Sequence, residues 1–343
     1  MTPFKLFLLT ALLSLWPLFP LRAGSCPNWE LVFQRNRGEG METKDKKIMV
    51  LSFGNQSRQK SEEWLSEAFR LLLSDYFSLN KNLTVVKSSL KKRYQATETK
   101  EAADIGKMVG AASVVYGFFT REESTLKVYA RFVDVQEEKE LGRANWTVEF
   151  PQSEKIFELF LEIADRASAD IKGLKADRKR RLPYKHQTRS LEAFKSYILG
   201  RLSMESGRAD EIDPAIKLFG DAISRDYNYV QAYLGHAESL LMKATLRKVI
   251  GNDFARPFVE EAARDMTKAA LLHPYITERM GVIAKNYLEA DIHQTAGATL
   301  LNQSKKGAAS EFKKALSLLP GDLFSLQRLP SSSELHELDP CAS

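Results

Sequence analysis

The apolar positions follow two periods, and the points where one replaces the other mark the elements. Lys47-Ile48-Met49-Val50-Leu51-Ser52-Phe53 is a short β-rich run closed by Gly54-Asn55, which predicts a strand ending in a turn. Leu65, Phe69, Leu72, Tyr76 and Leu79 then recur at spacings of four and three, one stripe of an amphipathic helix that starts near Ser61 and Glu63. A brief strand at Leu83-Thr84-Val85-Val86 precedes a second helix through Ala102, Ile105 and Met108, which Gly110 can end. Beyond it the period falls to two. Ser113 to Phe119 reads as a buried strand, Leu126, Val128, Ala130 and Phe132 alternate with polar neighbours, and so do Ala144, Trp146, Val148 and Phe150. Acidic turns at Glu122-Glu123 and Gln136-Glu137-Glu138 join these runs into an antiparallel meander. A closing helix sets Phe160, Ala164, Ala167, Ile171 and Leu174 on one face. Residues 46–175 therefore predict β-α-β-α-β-β-β-α, a sheet with helices packed on it.

Residues 190–328 repeat instead. Ala215-x3-Phe219-x2-Ala222-x4-Tyr227 returns as Ala262-x3-Met266-x2-Ala269-x4-Pro274 and again as Ala308-x3-Phe312-x2-Ala315-x4-Pro320, with ends 47 and 46 residues apart. The pattern resembles the second helix of a tetratricopeptide (TPR) repeat: small Ala residues admit a close neighbour, an aromatic or Met fills the groove, and Pro ends the turn. Leu199-Gly200, Tyr233 with Ala237, and Met280 with Ala284 and Tyr287 match its first helix. The usual period is about 34, so the last two repeats carry extra residues, expected at Gly251-Asn252-Asp253 with Pro257 and at Gln294 to Gln303. The resemblance implies a concave groove for a protein or peptide, with Tyr197, Arg201, Gln231, Glu238 and Lys285 at groove-facing positions. Residues 329–343 are expected to form a loose tail. The fold class expected is α+β, an N-terminal α/β domain followed by an all-α TPR-like solenoid.

The first half carries a second resemblance. Val50-Leu51-x-Phe53-x-Asn55-x-Ser57, then Gly110 with Val114-Val115-Tyr116-Gly117, then Leu126-Lys127-Val128-x-Ala130-Arg131-Phe132-Val133-Asp134-Val135, are similar to the amino-terminal domain of TolB and of flagellar and curli-assembly lipoproteins. Ser52 stands where that family favours Pro. The resemblance implies a domain that docks on a second envelope protein and has no catalytic role.

The leader sets the compartment. Lys5 precedes an apolar run from Leu6 to Phe19, and the small residues Ala23, Gly24 and Ser25 follow, so residues 1–23 have the layout of a secretory signal peptide. The run is about 14 residues, short of the roughly 20 that cross a bilayer. Ala23-Gly24-Ser25-Cys26 resembles the bacterial lipobox, which would extend the leader to residue 25 and makes Cys26 a lipidation candidate. Cys341 is the only other cysteine, too few for a disulfide scaffold. Lys and Arg total 50 against 44 acidic residues, a formal charge of +6. The window from Lys175 to Arg189 holds seven basic residues and one acidic residue, so it carries the whole excess. This makes residues 176–189 a basic linker, with Arg178, Lys179, Arg180 and Arg181 as a patch that could meet anionic lipid. The rest sums to neutral, which argues against nucleic acid.

Motifs for chemistry are missing from the sequence. Gly106-Lys107-Met108 lacks the flanking residues of a phosphate loop, there is no G-x-S-x-G elbow, and the five histidines show no zinc spacing. No catalytic, metal or cofactor-binding residue is expected. The function expected is a non-enzymatic interaction scaffold in the periplasm or on the periplasmic face of a membrane. The competing expectation is a sensor whose α/β domain binds a small molecule and whose repeats relay that state.

Overall fold

The computed structural model describes residues 46–57, 60–78, 83–86, 94–171, 188–206, 208–248, 252–273, 277–302, 306–318 and 329. The leader with Cys26, and Arg178, Lys179, Arg180 and Arg181, lie outside the described residues. The architecture is mixed, one sheet and many helices, consistent with an α+β class.

The elements β1 (Lys46–Val50), β2 (Gly54–Asn55), α1 (Trp64–Ser78), β3 (Leu83–Val86), α2 (Thr99–Val109), β4 (Ser113–Glu122), β5 (Thr125–Asp134), β6 (Lys139–Glu149) and α3 (Ser153–Asp170) follow in sequence. Strands run in the spatial order β3-β1-β4-β5-β6, with β2 paired to β4. The three strands joined by helices are parallel to their neighbours, and the hairpin strands β4, β5 and β6 are antiparallel. This is what connection length dictates, since a tight turn can only reverse a strand while a helix can return the chain to the same end.

Alternation along each strand sends side chains to two cores. On one face Phe53, Phe69, Phe119 and Phe160 form an aromatic cluster under α1 and α3, with Phe69 4.7 Å from Phe53 and 4.8 Å from Phe160. On the other face Met49, Leu51, Val114, Tyr116 and Val133 bury against Ala102 and Ala103 of α2. Gly106 lets α2 approach, because a Cβ there would lie 2.5 Å from Val135. Gly110 ends α2 in a left-handed conformation, φ 68°, and its N–H points to the carbonyls of Gly106 and Lys107, the cap for which glycine is suited. The β5–β6 ladder slips at Phe132/Val133, where Leu141 is the extra residue of a bulge.

Among the described residues six further helices follow: α4 (Leu191–Glu205), α5 (Ile212–Arg225), α6 (Val230–Lys248), α7 (Asn252–Leu272), α8 (Thr277–Asn302) and α9 (Ala308–Leu318). Among the described residues the chain divides into an α/β unit, 46–205 with 218–232, and a helical unit, 206–217 with 233–329. The division does not fall in the basic linker. Phe194 explains why α4 stays with the sheet: it is fully buried 4.7 Å from Phe157 and 5.4 Å from Trp64.

The extra residues expected in the repeats are helical where they are described; Gly251 and Gln303 lie outside the described residues. α8 runs through Gln294 to Asn302, and α7 begins at Asn252 with Pro257 inside it. Gln294 is 2% exposed and Gly297 is buried, so this segment supplies packing surface rather than a loop.

Candidate functional site

The five groove positions separate on their surroundings. Tyr197 is 1% exposed, 5.8 Å from Phe219 and 5.2 Å from Tyr229 in a closed aromatic cluster. Arg201, one turn further along α4, donates Nη1 and Nη2 to Asp75 of α1 at 2.8 and 3.2 Å, and Nη1 also to the Tyr197 hydroxyl at 3.0 Å. Both residues were expected to face a groove, and the structure corrects this. Phe194, Tyr197 and Arg201 lie on the turns of α4 that meet the α/β unit, so apolar burial and a bidentate ion pair consume them. Gln231 is 4% exposed. Glu238 of α6 and Lys285 of α8 are exposed, Lys285 with Glu289 at 3.5 Å. Of the five, these two are on accessible helix surface, and both belong to the helical unit.

The contact that holds α4 on α1 was not read from the sequence. Ser52 Oγ donates to Glu67 Oε1 at 2.7 Å, Arg70 Nε donates to Glu67 Oε2 at 2.6 Å, and Arg70 Nη2 donates to Glu205 Oε2 at 2.6 Å. The side chains of Glu67 and Arg70 are 3% and 9% exposed. Burial opposes the Arg70 charge, but Glu205 and Glu67 outweigh it and hold the guanidinium above its ordinary pKa. The same opposition acts at Arg201, where Asp75 prevails. Ser52, the departure from the TolB-like pattern, has a role here: its hydroxyl satisfies a carboxylate oxygen that Pro could not reach. The available signal was the spacing of Arg201 and Glu205, four apart on one helix face.

Helix pairing recurs with one geometry. On α4, Gly200 lies against the Phe219 ring of α5, where a Cβ would meet ring carbons at 2.9 to 3.0 Å; on α8, Gly297 lies against the Phe312 ring of α9 at 2.8 to 3.0 Å. In the hairpin between them Leu240 and Met266 share a buried cluster. A second recurrence accompanies it. His236 Nδ1 is 2.6 Å from Asp265, and His293 Nδ1 is 2.7 Å from Glu311. Each histidine lies four residues before Leu240 or Gly297, and each acid directly precedes Met266 or Phe312. Gly200→Ala and Gly297→Ala are each expected to cost about 1–3 kcal/mol, because a methyl there pushes a whole ring. Denaturant unfolding of the two variants beside the native chain checks this, and a cost near zero at either site would show that the contact is not tight.

The Glu311 carboxyl accepts from Lys314 at 2.6 Å and faces His293, which hold it below the ordinary glutamate value of 4.5. A carboxyl depressed by folding stabilises the folded state above the unfolded value, and that contribution disappears as pH falls through the folded value. Thermal melts between pH 7 and pH 3 are therefore expected to show the native chain losing more stability below pH 4.5 than Glu311→Gln, which lacks the titration.

Among the described residues no group of three His, Cys, Asp or Glu side chains is placed to hold a metal ion, and no helix is long and apolar enough to cross a membrane. Gly106 and Lys107 lie within α2, where backbone amides are engaged in helix bonds and cannot cradle a phosphate. The arrangement offers packed helix pairs and exposed charged residues.

No protein-family model matches the chain, and no curated protein does. Among solved structures, the LpoB C-terminal domain from Salmonella enterica is 17% identical, covers 35% of this chain and 94% of its own, with a TM-score of 0.26. The LpoB C-terminal domain from Escherichia coli is also 17% identical, over 36% of this chain and 99% of its own, at 0.25. Lipoprotein GNA1162 from Neisseria meningitidis is 16% identical, over 38% and 99%, at 0.26. The chain is thus weakly similar to these structures over little more than a third of its length.

Proposed function

We propose that this chain is a non-enzymatic adaptor of the bacterial cell envelope, exported by its leader and held at the periplasmic face of a membrane or free in the periplasm. Its α6 to α9 hairpins, read as TPR-like, grip a polypeptide, and its TolB-like α/β unit docks on a second envelope protein. The observation that carries the reading is the repeated seating of a helix glycine on the aromatic ring of the following helix, Gly200 on Phe219 and Gly297 on Phe312. Hairpins built alike stack alike, and a stack of two-helix units leaves one row of helices to line an inner surface. Glu238 and Lys285, exposed on α6 and α8, are the side chains assigned to that surface.

The leader and the basic linker support the placement. Cys26 is the proposed acyl site, and Arg178, Lys179, Arg180 and Arg181 would add attraction to anionic head groups of about 1 kcal/mol per residue. The test compares the native chain with Cys26→Ala and with Glu238→Lys/Lys285→Glu. The first variant should move from the membrane fraction to the soluble periplasm, and the second should lose the proteins that co-purify with the native chain. Identical fractionation of native and Cys26→Ala chains would remove the anchor, and unchanged companions would remove the groove.

A further inference from the structure

We propose that β6 pairs with β6 of a second copy of this chain, in antiparallel register about a two-fold axis at Trp146, to make one continuous sheet across the dimer. β6 is the last strand of the order β3-β1-β4-β5-β6, and among the described residues nothing hydrogen-bonds its outer edge. It is 11 residues long and contains no proline. An edge of that length offers unpaired N–H and C=O groups to another strand.

The side chains favour pairing over protection. Beyond the bulge at Leu141, the strand is regular from Gly142 to Glu149. Gly142, Ala144, Trp146 and Val148 lie opposite Phe132, Ala130, Val128 and Leu126, which are buried, and are themselves half-buried. An edge kept apart would place a charge among these inward positions, and this strand places none. The outward positions are Arg143, Asn145, Thr147 and Glu149, all exposed.

Charge selects both the occupant and the register. A two-fold axis through an antiparallel pair sets residues of one face opposite each other. With the axis at Trp146, Arg143 of each copy faces Glu149 of the other, Asn145 faces Thr147, Ala144 faces Val148, and the two indoles meet. An axis at Arg143 sets arginine against arginine, axes at Asn145 or Thr147 leave both charges facing neutral side chains, and an axis at Ala144 carries Glu149 past the regular segment onto the bulged end of the strand, opposite Lys139 by plain count. Within the regular segment Gly142 to Glu149, the register at Trp146 is the one that pairs opposite charges, twice over by symmetry, and cross-strand pairs of this kind stabilise a sheet. The Arg143 side chain is 73% exposed although its Nε lies 2.6 Å from Glu140, so its other donors are available.

Sedimentation equilibrium of the full chain tests the proposal. The native chain should dimerise. Arg143→Glu alone, and Glu149→Arg alone, set like charges opposite each other at both ends of the ladder and should each raise the dimer dissociation constant roughly ten-fold or more. Mixing the two variants restores both opposite-charge pairs, so the mixture should form a one-to-one heterodimer as readily as the native chain. A native chain that stays monomeric up to about 100 µM, a weak-binding concentration, would overturn the proposal and assign the edge to another protein or to none. Single variants that dimerise like the native chain, or a mixture of folded variants that does not, would also overturn it. Hydrogen exchange needs no variant: the amides of Gly142 to Glu149 should exchange more slowly as the native chain is concentrated, and exchange independent of concentration would contradict the pairing.

Discussion

Replacing Arg70 by methionine is expected to destabilise the α/β unit by about 3–5 kcal/mol, because breaking a buried ion pair leaves a charge without its partner. The charge left behind is Glu67, whose side chain is 3% exposed and keeps Ser52 as a donor. The Glu205 arm contributes the smaller part, since its side chain is 26% exposed and water screens it. Adding Glu67→Gln to Arg70→Met should recover a large share, because a neutral amide tolerates burial better than a carboxylate. Denaturant unfolding of the native chain and both variants measures this. A loss under about 1 kcal/mol for Arg70→Met would mean that the pair behaves as a surface salt bridge.

Gly117→Ala carries the second large effect. A Cβ at this position in β4 would lie 2.2 Å from the Tyr129 carbonyl oxygen and 2.4 Å from the Phe53 ring. The oxygen belongs to the backbone of the paired strand, which cannot retreat without opening the ladder. The cost is expected at or above the upper end of overpacking, about 3 kcal/mol. Gly54→Ala is the contrast: its Cβ would meet the Phe118 Cβ at 3.7 Å, an ordinary contact, so its cost should stay within about 0.5 kcal/mol. Urea unfolding of the two variants side by side separates the sites, and equal costs would contradict the packing described for β4.

Both predictions show which parts of the structure could be read from the chain. Alternation is local, so Leu126 to Phe132 and Ala144 to Val148 announced their strands, and the 3.6-residue stripe of Leu65, Phe69, Leu72 and Tyr76 announced α1. The ordering of strands followed from the connections. Gly117 was visible as part of the Val114-Val115-Tyr116-Gly117 run, but the Phe53 ring that fills its place comes from a residue 64 positions earlier. Periodicity is blind to such a pairing.

The candidate surface was legible only in part, for a related reason. A repeat pattern reports where a side chain points on its own helix and says nothing about which neighbour is there. Tyr197 and Arg201 keep the positions the TPR-like pattern assigns, yet α4 spends that face on Phe157, Trp64 and Asp75. Glu238 and Lys285, which the same pattern assigns on α6 and α8, remain exposed. The extra residues expected at Gln294 to Gln303 are helical as far as Asn302, because polar residues can pack a helix as well as end one. The missing side chain of Gly297 makes room for Phe312.

The role proposed for the helical unit is to bind a polypeptide through the surface bearing Glu238 and Lys285. A photo-crosslinking residue placed at Glu238, and in a separate chain at Lys285, expressed in the native host and irradiated in intact cells, tests it most directly. The account predicts that both positions yield the same discrete protein adduct, while a control position at Lys155, exposed on α3, does not. Irradiation that yields no adduct from either helix position would contradict it.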